Sequence, residues 1–300
     1  CMCTKWTMAA HALWIFCATA SAASPEAAAR AARAALPCAS LGDFYWEIGD
    51  AQQRITGGQI GQGYPAEAVI GIASASKLVW AAYVLQDPAQ PTPETASALR
   101  MLSGYTGFNP LRCVLHRSSV KACYEAGGNN VQNAADVGAF YYNGGHDQKL
   151  AMDFGLGELD NDGLARAVAA RIGPELVLNY SQPSPAGGLR ATPATYAAFL
   201  RKVLRGDLRL RDWLGRDSVC TFPAECPTAH YSPALAGWRY SYNHWVEPDG
   251  SFSSPGLEGF YPWISADRRY YGLVARQKLE RSAAMNSAAC GAAIRSAFLQ

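Results

Sequence analysis

Residues 68 to 85 read AVIGIASASKLVWAAYVL, a run apolar nearly throughout that still holds Ser74, Ser76 and Lys77. From about Ser76 it is rich in Ala and Leu and ends at the turn signal DPAQPTP, so a helix is predicted there. The residues just before, EAVIGIA, read as a buried strand following two others. A helix of this composition belongs inside a core, and the rest of the chain has to cover it. A lysine so placed costs free energy unless it is paired or neutralised.

Catalysis would account for that lysine. Ser74 stands three residues before Lys77, which puts both side chains on one helix face. A lysine in apolar surroundings gives up its proton more readily and can then accept one from a serine hydroxyl. A serine in the first turn also meets the positive end of the helix dipole, which favours an oxyanion there. The S-x-x-K spacing recurs at Ser118 and Lys121 in HRSSVKAC. That second lysine has no apolar neighbours, so it reads as surface and shows that the spacing alone is weak.

The 300 residues are 49% hydrophobic with a net charge of +2, which gives no reason to expect a nucleic-acid partner. Residues 1–23 resemble an export signal. Lys5 supplies the positive start, Met8 to Ala18 the apolar middle, and ATASAA small residues for cleavage. The apolar part is too short for a good membrane span, so none is expected after signal removal. Six cysteines remain beyond it: Cys38, Cys113, Cys123, Cys220, Cys226 and Cys290. They contain no C-x-x-C, and sequence alone allows many pairings. Locality favours Cys113–Cys123 and Cys220–Cys226, leaving Cys38–Cys290 to tie the ends together. Secretion or a periplasmic location follows from that reading.

Along the chain, an Ala-rich helix precedes strand-like DFYWEIGD and RITGGQIGQGY. Residues from about 94 to 214 are mostly helical, as in PETASALRMLSGY, GLARAVAARIG and TPATYAAFLRKVLRG. Strand character returns in WRYSYNHWVE, GFYPWISA and RRYYGLVARQ, and a last helix closes the chain. The order implies one α/β domain over residues 24–300. An antiparallel sheet completed by both chain ends is flanked by N- and C-terminal helices and interrupted by a helical lobe.

Three elements in order then match a known pattern: S-x-x-K at Ser74 and Lys77, Y-x-N at Tyr141 and Asn143, and a Gly-bearing strand at Ser254-Pro255-Gly256. The chain resembles the serine β-lactamase and penicillin-binding-protein superfamily, with its esterase and amidase branches. PSPAGGLRATPATYAAFL looks like a Gly-Gly-Leu segment found in many members, and SYN (Ser241 to Asn243) is a competing copy of the second element that falls too late in chain order. The resemblance implies a β-lactamase/transpeptidase-like fold and an acyl-serine mechanism without a cofactor. Ser74 would be the nucleophile, Lys77 the base and Tyr141 the acid/base. Asn143 would bond the acyl side, and the backbone N–H groups of Ser74 and Leu257 would form the oxyanion hole.

The third element departs from the family. Ser254 stands where members usually carry Lys or His, so a substrate carboxylate loses a charge-assisted contact. Arg190 and Arg276 are the candidates to replace it. The departure favours a small uncharged ester or amide over a β-lactam or D-Ala-D-Ala peptide, with a non-turnover binding module as the rival class. Phe260, Tyr261 and Trp263 either line a substrate pocket or pack into the core. His146 reads as a polar loop residue, or else one that tunes Tyr141. There is no H-E-x-x-H, so no catalytic metal is expected, and no G-x-S-x-G. GGQIGQG lacks the Lys of a phosphate loop.

Overall fold

The structure is a computed structural model that describes residues 23–300. The expected export signal, residues 1–23, therefore lies outside the described residues except for Ala23. The framework is an antiparallel sheet of eight strands: β1 (Phe44–Gly49), β2 (Arg54–Ile60), β3 (Val219–Cys220), β4 (Arg239–Ser241), β5 (His244–Val246), β6 (Phe252–Ser253), β7 (Tyr261–Ile264) and β8 (Tyr271–Ala275). Their order across the sheet is β2-β1-β8-β7-β6-β5-β4-β3, so the N-terminal hairpin joins the C-terminal strands through the β1–β8 pairing. The sheet is completed from both ends of the chain.

Helices named here are α1 (Pro25–Ala34), α2 (Ser76–Leu85), α3 (Gly145–Asp153), α4 (Asn161–Ile172), α5 (Pro193–Arg205) and α6 (Ala283–Leu299). The terminal helices α1 and α6 pack together, and α6 lies against β7 and β8, while α5 contacts β8. With helices on both faces, every residue of β1 is buried. That includes Glu47, whose carboxylate accepts hydrogen bonds from Tyr45 Oη at 2.5 Å and Tyr271 Oη at 2.6 Å. On α6, Gly291 admits the Tyr261 ring, because a Cβ there would stand 2.3 Å from it. Phe260, Tyr261 and Trp263 are almost wholly buried in these layers. Their core role wins over the pocket role, since both faces of the sheet are covered.

The expected buried strand over EAVIGIA shrinks to Ile70–Gly71, and it lies outside the main sheet. It pairs instead with Leu189–Ala191 in a small three-stranded sheet beside the helical lobe. Only Ile72 separates it from the 3-10 turn Ala73–Ala75 that leads into α2, so no length is left for a full strand. Helix α2 is buried on every side, against α4 among others. Three disulfides join Cys38 to Cys290, Cys113 to Cys123 and Cys220 to Cys226. The first holds α6 to the segment that follows α1. Among the described residues no helix is long and apolar enough to cross a membrane, and no group of side chains is arranged to hold a metal ion.

Candidate active site

Ser74 sits in a single 3-10 turn, Ala73–Ala75, that feeds α2, rather than in the helix proper. The preceding Ala73 has φ of +44°, a conformation that costs a non-glycine residue about 1 kcal/mol and persists because its neighbours hold it. Three contacts do so. Ser76 Oγ donates to the Ala73 carbonyl at 2.6 Å, and the Leu189 amide donates back to Ser76 Oγ at 3.3 Å. Tyr196 Oη, from α5, donates to the Ala75 carbonyl at 2.9 Å. Ser76 thus anchors the turn that presents Ser74.

Lys77 is buried, with its amine 3.2 Å from Ser74 Oγ. The amine donates to the Ala186 carbonyl at 3.0 Å and lies 4.9 Å from the centre of the Tyr142 ring. The Gly-Gly-Leu segment gains a physical role from these contacts. Its backbone supplies the Ala186 carbonyl for the lysine and the Leu189 amide for Ser76.

The structure brings Tyr142, and not Tyr141, to the lysine. Strand residues alternate in direction, and Phe140 and Tyr142 face one way, both against Tyr240 and Trp245. Tyr141 faces the other way, with its ring 5.3 Å from that of Tyr231. Tyr142 lines the cleft above Ser74 and Tyr141 does not. The alternation starting from apolar Phe140 was the sequence signal available for this choice.

Asn143 lines the cleft, but its amide is already engaged. Its Nδ2 donates to the Thr106 carbonyl at 2.8 Å, and its Oδ1 accepts from the Gly145 amide at 2.9 Å. Its contacts tie the start of α3 to the 103–108 segment, so the role expected of it on the acyl side has no free amide group to serve it. His146 is not a loop residue: it is fully buried in α3. Its Nε2 lies 3.0 Å from the Tyr141 carbonyl, which can only accept, so Nδ1 accepts from Ser103 Oγ at 2.7 Å. Burial lowers its pKa to about 4, keeping the ring neutral. It braces the tyrosine segment through the backbone.

One residue of this region, Asp147, went unsuspected in the sequence. Asp147 is fully buried and accepts from Asn243 Nδ2 at 2.6 Å. Burial pushes its pKa up to about 6, against the opposing pull of Lys77 and of the Asn243 bond. Asn243, from the competing SYN copy, is thus a buried partner of the α3 carboxyl.

The third element passes close beside the turn that carries Ser74. Ser254 Oγ donates to the Ser74 carbonyl at 3.1 Å, and a Cβ on Gly256 would stand 2.1 Å from the Ile72 carbonyl oxygen. Only glycine permits that approach. It leaves Leu257 on the cleft wall. Neither arginine proposed as a replacement cation reaches the cleft. Arg276 is buried, donating to Ser287 Oγ and the Leu41 carbonyl, and Arg190 donates to the Val69 carbonyl. Arg281 lines the mouth instead, together with Glu258.

The cleft has a volume of about 600 Å³ and its walls are largely apolar, including Phe108, Trp238 and Trp245. A buried lysine amine, a half-buried serine and a tyrosine meet on one surface of it. Solved structures share this framework. One is EstCE1, a hydrolase with promiscuous acyltransferase activity, at TM-score 0.64 and 10% identity, covering 92% of this chain and 98% of that one. Another is a D-stereospecific amidohydrolase from Streptomyces sp., at TM-score 0.61 and 14% identity, with the same coverage of 92% and 98%. A third is simvastatin synthase (LovD) from Aspergillus terreus, at TM-score 0.58 and 13% identity, covering 92% and 97%. The chain has the β-lactamase-like fold. No family model and no curated protein matches it. The likeness is therefore one of fold, carried at low identity across nearly the whole described chain.

Proposed function

We propose that this protein is an exported serine hydrolase that cleaves an uncharged ester or amide through an acyl-serine intermediate. The observation that carries the reading is the 3.2 Å approach of the buried Lys77 amine to Ser74 Oγ on the floor of an apolar cleft. Ser74 Oγ attacks the carbonyl carbon while its proton passes to Lys77 Nζ. The negative charge forming on the carbonyl oxygen is met by the backbone N–H groups of Ser74 and Leu257, each worth about 3 kcal/mol in the transition state. As the intermediate collapses, Tyr142 delivers a proton to the leaving group, and the acyl group stays on Ser74. Water then attacks the acyl-enzyme and gives a proton to the Tyr142–Lys77 pair; the bond from the acyl carbon to Ser74 Oγ breaks, the pair returns a proton to Oγ, and the acid leaves. Tyr142 takes this role over Tyr141 because its ring alone of the two faces the lysine.

The missing cation of the third element supports the choice of an uncharged substrate. Three disulfides support an oxidising compartment, and so secretion or a periplasmic location. No cofactor has a part in these steps. The whole described chain is read as one domain.

Acid-quenched mixtures with p-nitrophenyl acetate test the reading by intact-protein mass spectrometry. Wild type is expected to carry an acetyl adduct on Ser74 and to keep releasing nitrophenol, while Ser74→Ala does neither. An adduct that forms once and persists would favour the binding-module class. Neither adduct nor release would leave only the fold.

A further inference from the structure

The rim of the cleft points to its substrate. Helix Pro110–Leu115 stands at the mouth, and Leu111 and Val114, three residues apart and so on one face, line the cleft while remaining 69% and 50% exposed. Leu257, on the wall formed by the third element, is 63% exposed. Large side chains exposed this way on the lining of one apolar cleft give it an apolar lip, and exposed apolar surface of this kind is one mark of a ligand-binding groove. The lip is held in place by its own framework. Cys113, in the middle of the helix, is bonded to Cys123, and Asn109 caps the helix at the Leu111 amide. Asn129 fixes the base, accepting from the Asn109 amide at 2.8 Å and donating to the Cys123 carbonyl at 3.0 Å. A helix pinned at its start and at its middle keeps its leucine and valine facing the cleft instead of folding them into the core.

Charge at the site agrees with this. Besides Lys77, the charged residues lining the cleft are Glu258 and Arg281, at the mouth. Glu258 accepts from Gln277 Nε2 at 2.6 Å. An anionic substrate would meet a carboxylate as well as the one outer cation, whereas an aliphatic chain meets the largely apolar lining of the cleft.

We infer that the cleft takes an uncharged ester bearing a long aliphatic chain, which runs from the carbonyl above Ser74 outward along the lip of Leu111, Val114 and Leu257. This inference rests on the serine-hydrolase reading and deepens it. The chain belongs either to the acyl group or to the alcohol, and the test separates the two. Below their aggregation limits, p-nitrophenyl acetate, butyrate and octanoate form one series, and ethyl, butyl and octyl acetate the other. In one series kcat/KM is expected to rise about two- to fourfold per methylene, as burial of each CH₂ implies. A rise in the first series assigns the chain to the acyl side, and a rise in the second to the alcohol. Leu111→Asp and Val114→Asp should each lower the long-to-short ratio in that series by about tenfold or more. Both side chains are at least half exposed, and a ratio within one protein is read, so an altered yield of folded protein does not mimic the effect.

Flat or falling dependence in both series, with acetate still cleaved, overturns the long-chain inference and leaves the hydrolase reading standing. A rise that survives both aspartate variants unchanged also overturns it, because the lip then plays no part. If p-nitrophenyl acetate is not cleaved in a Ser74-dependent way, the hydrolase reading itself fails and this inference falls with it.

Discussion

The chain carries the same four-residue pattern twice, and the two copies have opposite surroundings. Lys77 is buried in the turn-and-helix of α2, against the Ser74 hydroxyl, the Ala186 carbonyl and the Tyr142 ring. Lys121 is 46% exposed and makes a 3.6 Å ion pair with Glu158, itself 85% exposed. A pair of that kind adds at most about 1 kcal/mol to stability. The spacing of serine and lysine is identical, so spacing is not what buries the lysine. What differs is the cover: α2 is enclosed on all sides, while the second copy begins a six-residue helix at the surface.

The largest expected effect breaks the comparison directly. Lys77→Met should lower kcat/KM for an activated ester by about 10⁴-fold, the upper range for loss of a positioned base. Lys121→Met should stay within about twofold, as an exposed ion pair implies. Equal losses in steady-state assays of the two variants would show that burial is not the distinguishing feature.

A second contrast lies within YYN. Tyr142→Phe is expected to cost about 10²-fold in kcat, since it removes a proton-transfer group while keeping the ring beside Lys77. Tyr141→Phe should change kcat only a few-fold. The opposite ranking would return the role to Tyr141 and would mean that the segment flips when substrate binds.

The smallest effect concerns stability against acid. Burial holds His146 and His244 down to about 4, below the ordinary value of 6.5. Between those pH values the unfolded chain binds protons that the folded one refuses, so stability falls as pH drops through the window. Asp147 acts in the other direction. Its raised value of about 6, against 3.8 ordinarily, means that the folded state keeps a proton that the unfolded state releases. Asp147→Asn removes that opposition, so the urea midpoint should fall more steeply from pH 6.5 to 4 in the variant than in wild type. Parallel curves would show that Asp147 does not hold a proton in the folded protein.

Much of the fold was legible because local patterns coincide with the layers. The Ala- and Leu-rich run after Ser76 forms α2, and FYWEIG and RITGGQI form the β1–β2 hairpin. EAVIGIA failed as a long strand because its apolar character serves contacts with the 189–191 segment and the helical lobe, which no local pattern reports. Site residues divide in the same way. Ser74 and Lys77 are neighbours along one turn, so their meeting is a local fact. The choice of Tyr142 over Tyr141, the engagement of Asn143 by Thr106, and the placing of Arg281 at the mouth depend on segments far apart in the chain.

The sequence by itself determined the buried lysine, the serine one turn before it, most of the strand and helix pattern and the absence of Lys or His at Ser254. Each follows from side-chain chemistry and short-range periodicity. The tertiary structure alone decided which tyrosine faces the lysine, which arginine reaches the cleft, and that Leu111 and Val114 stand exposed at the cleft mouth. Those outcomes are set by packing between distant segments, where the direction of a strand residue or the pinning of a short helix by a disulfide outweighs any preference of the residues themselves.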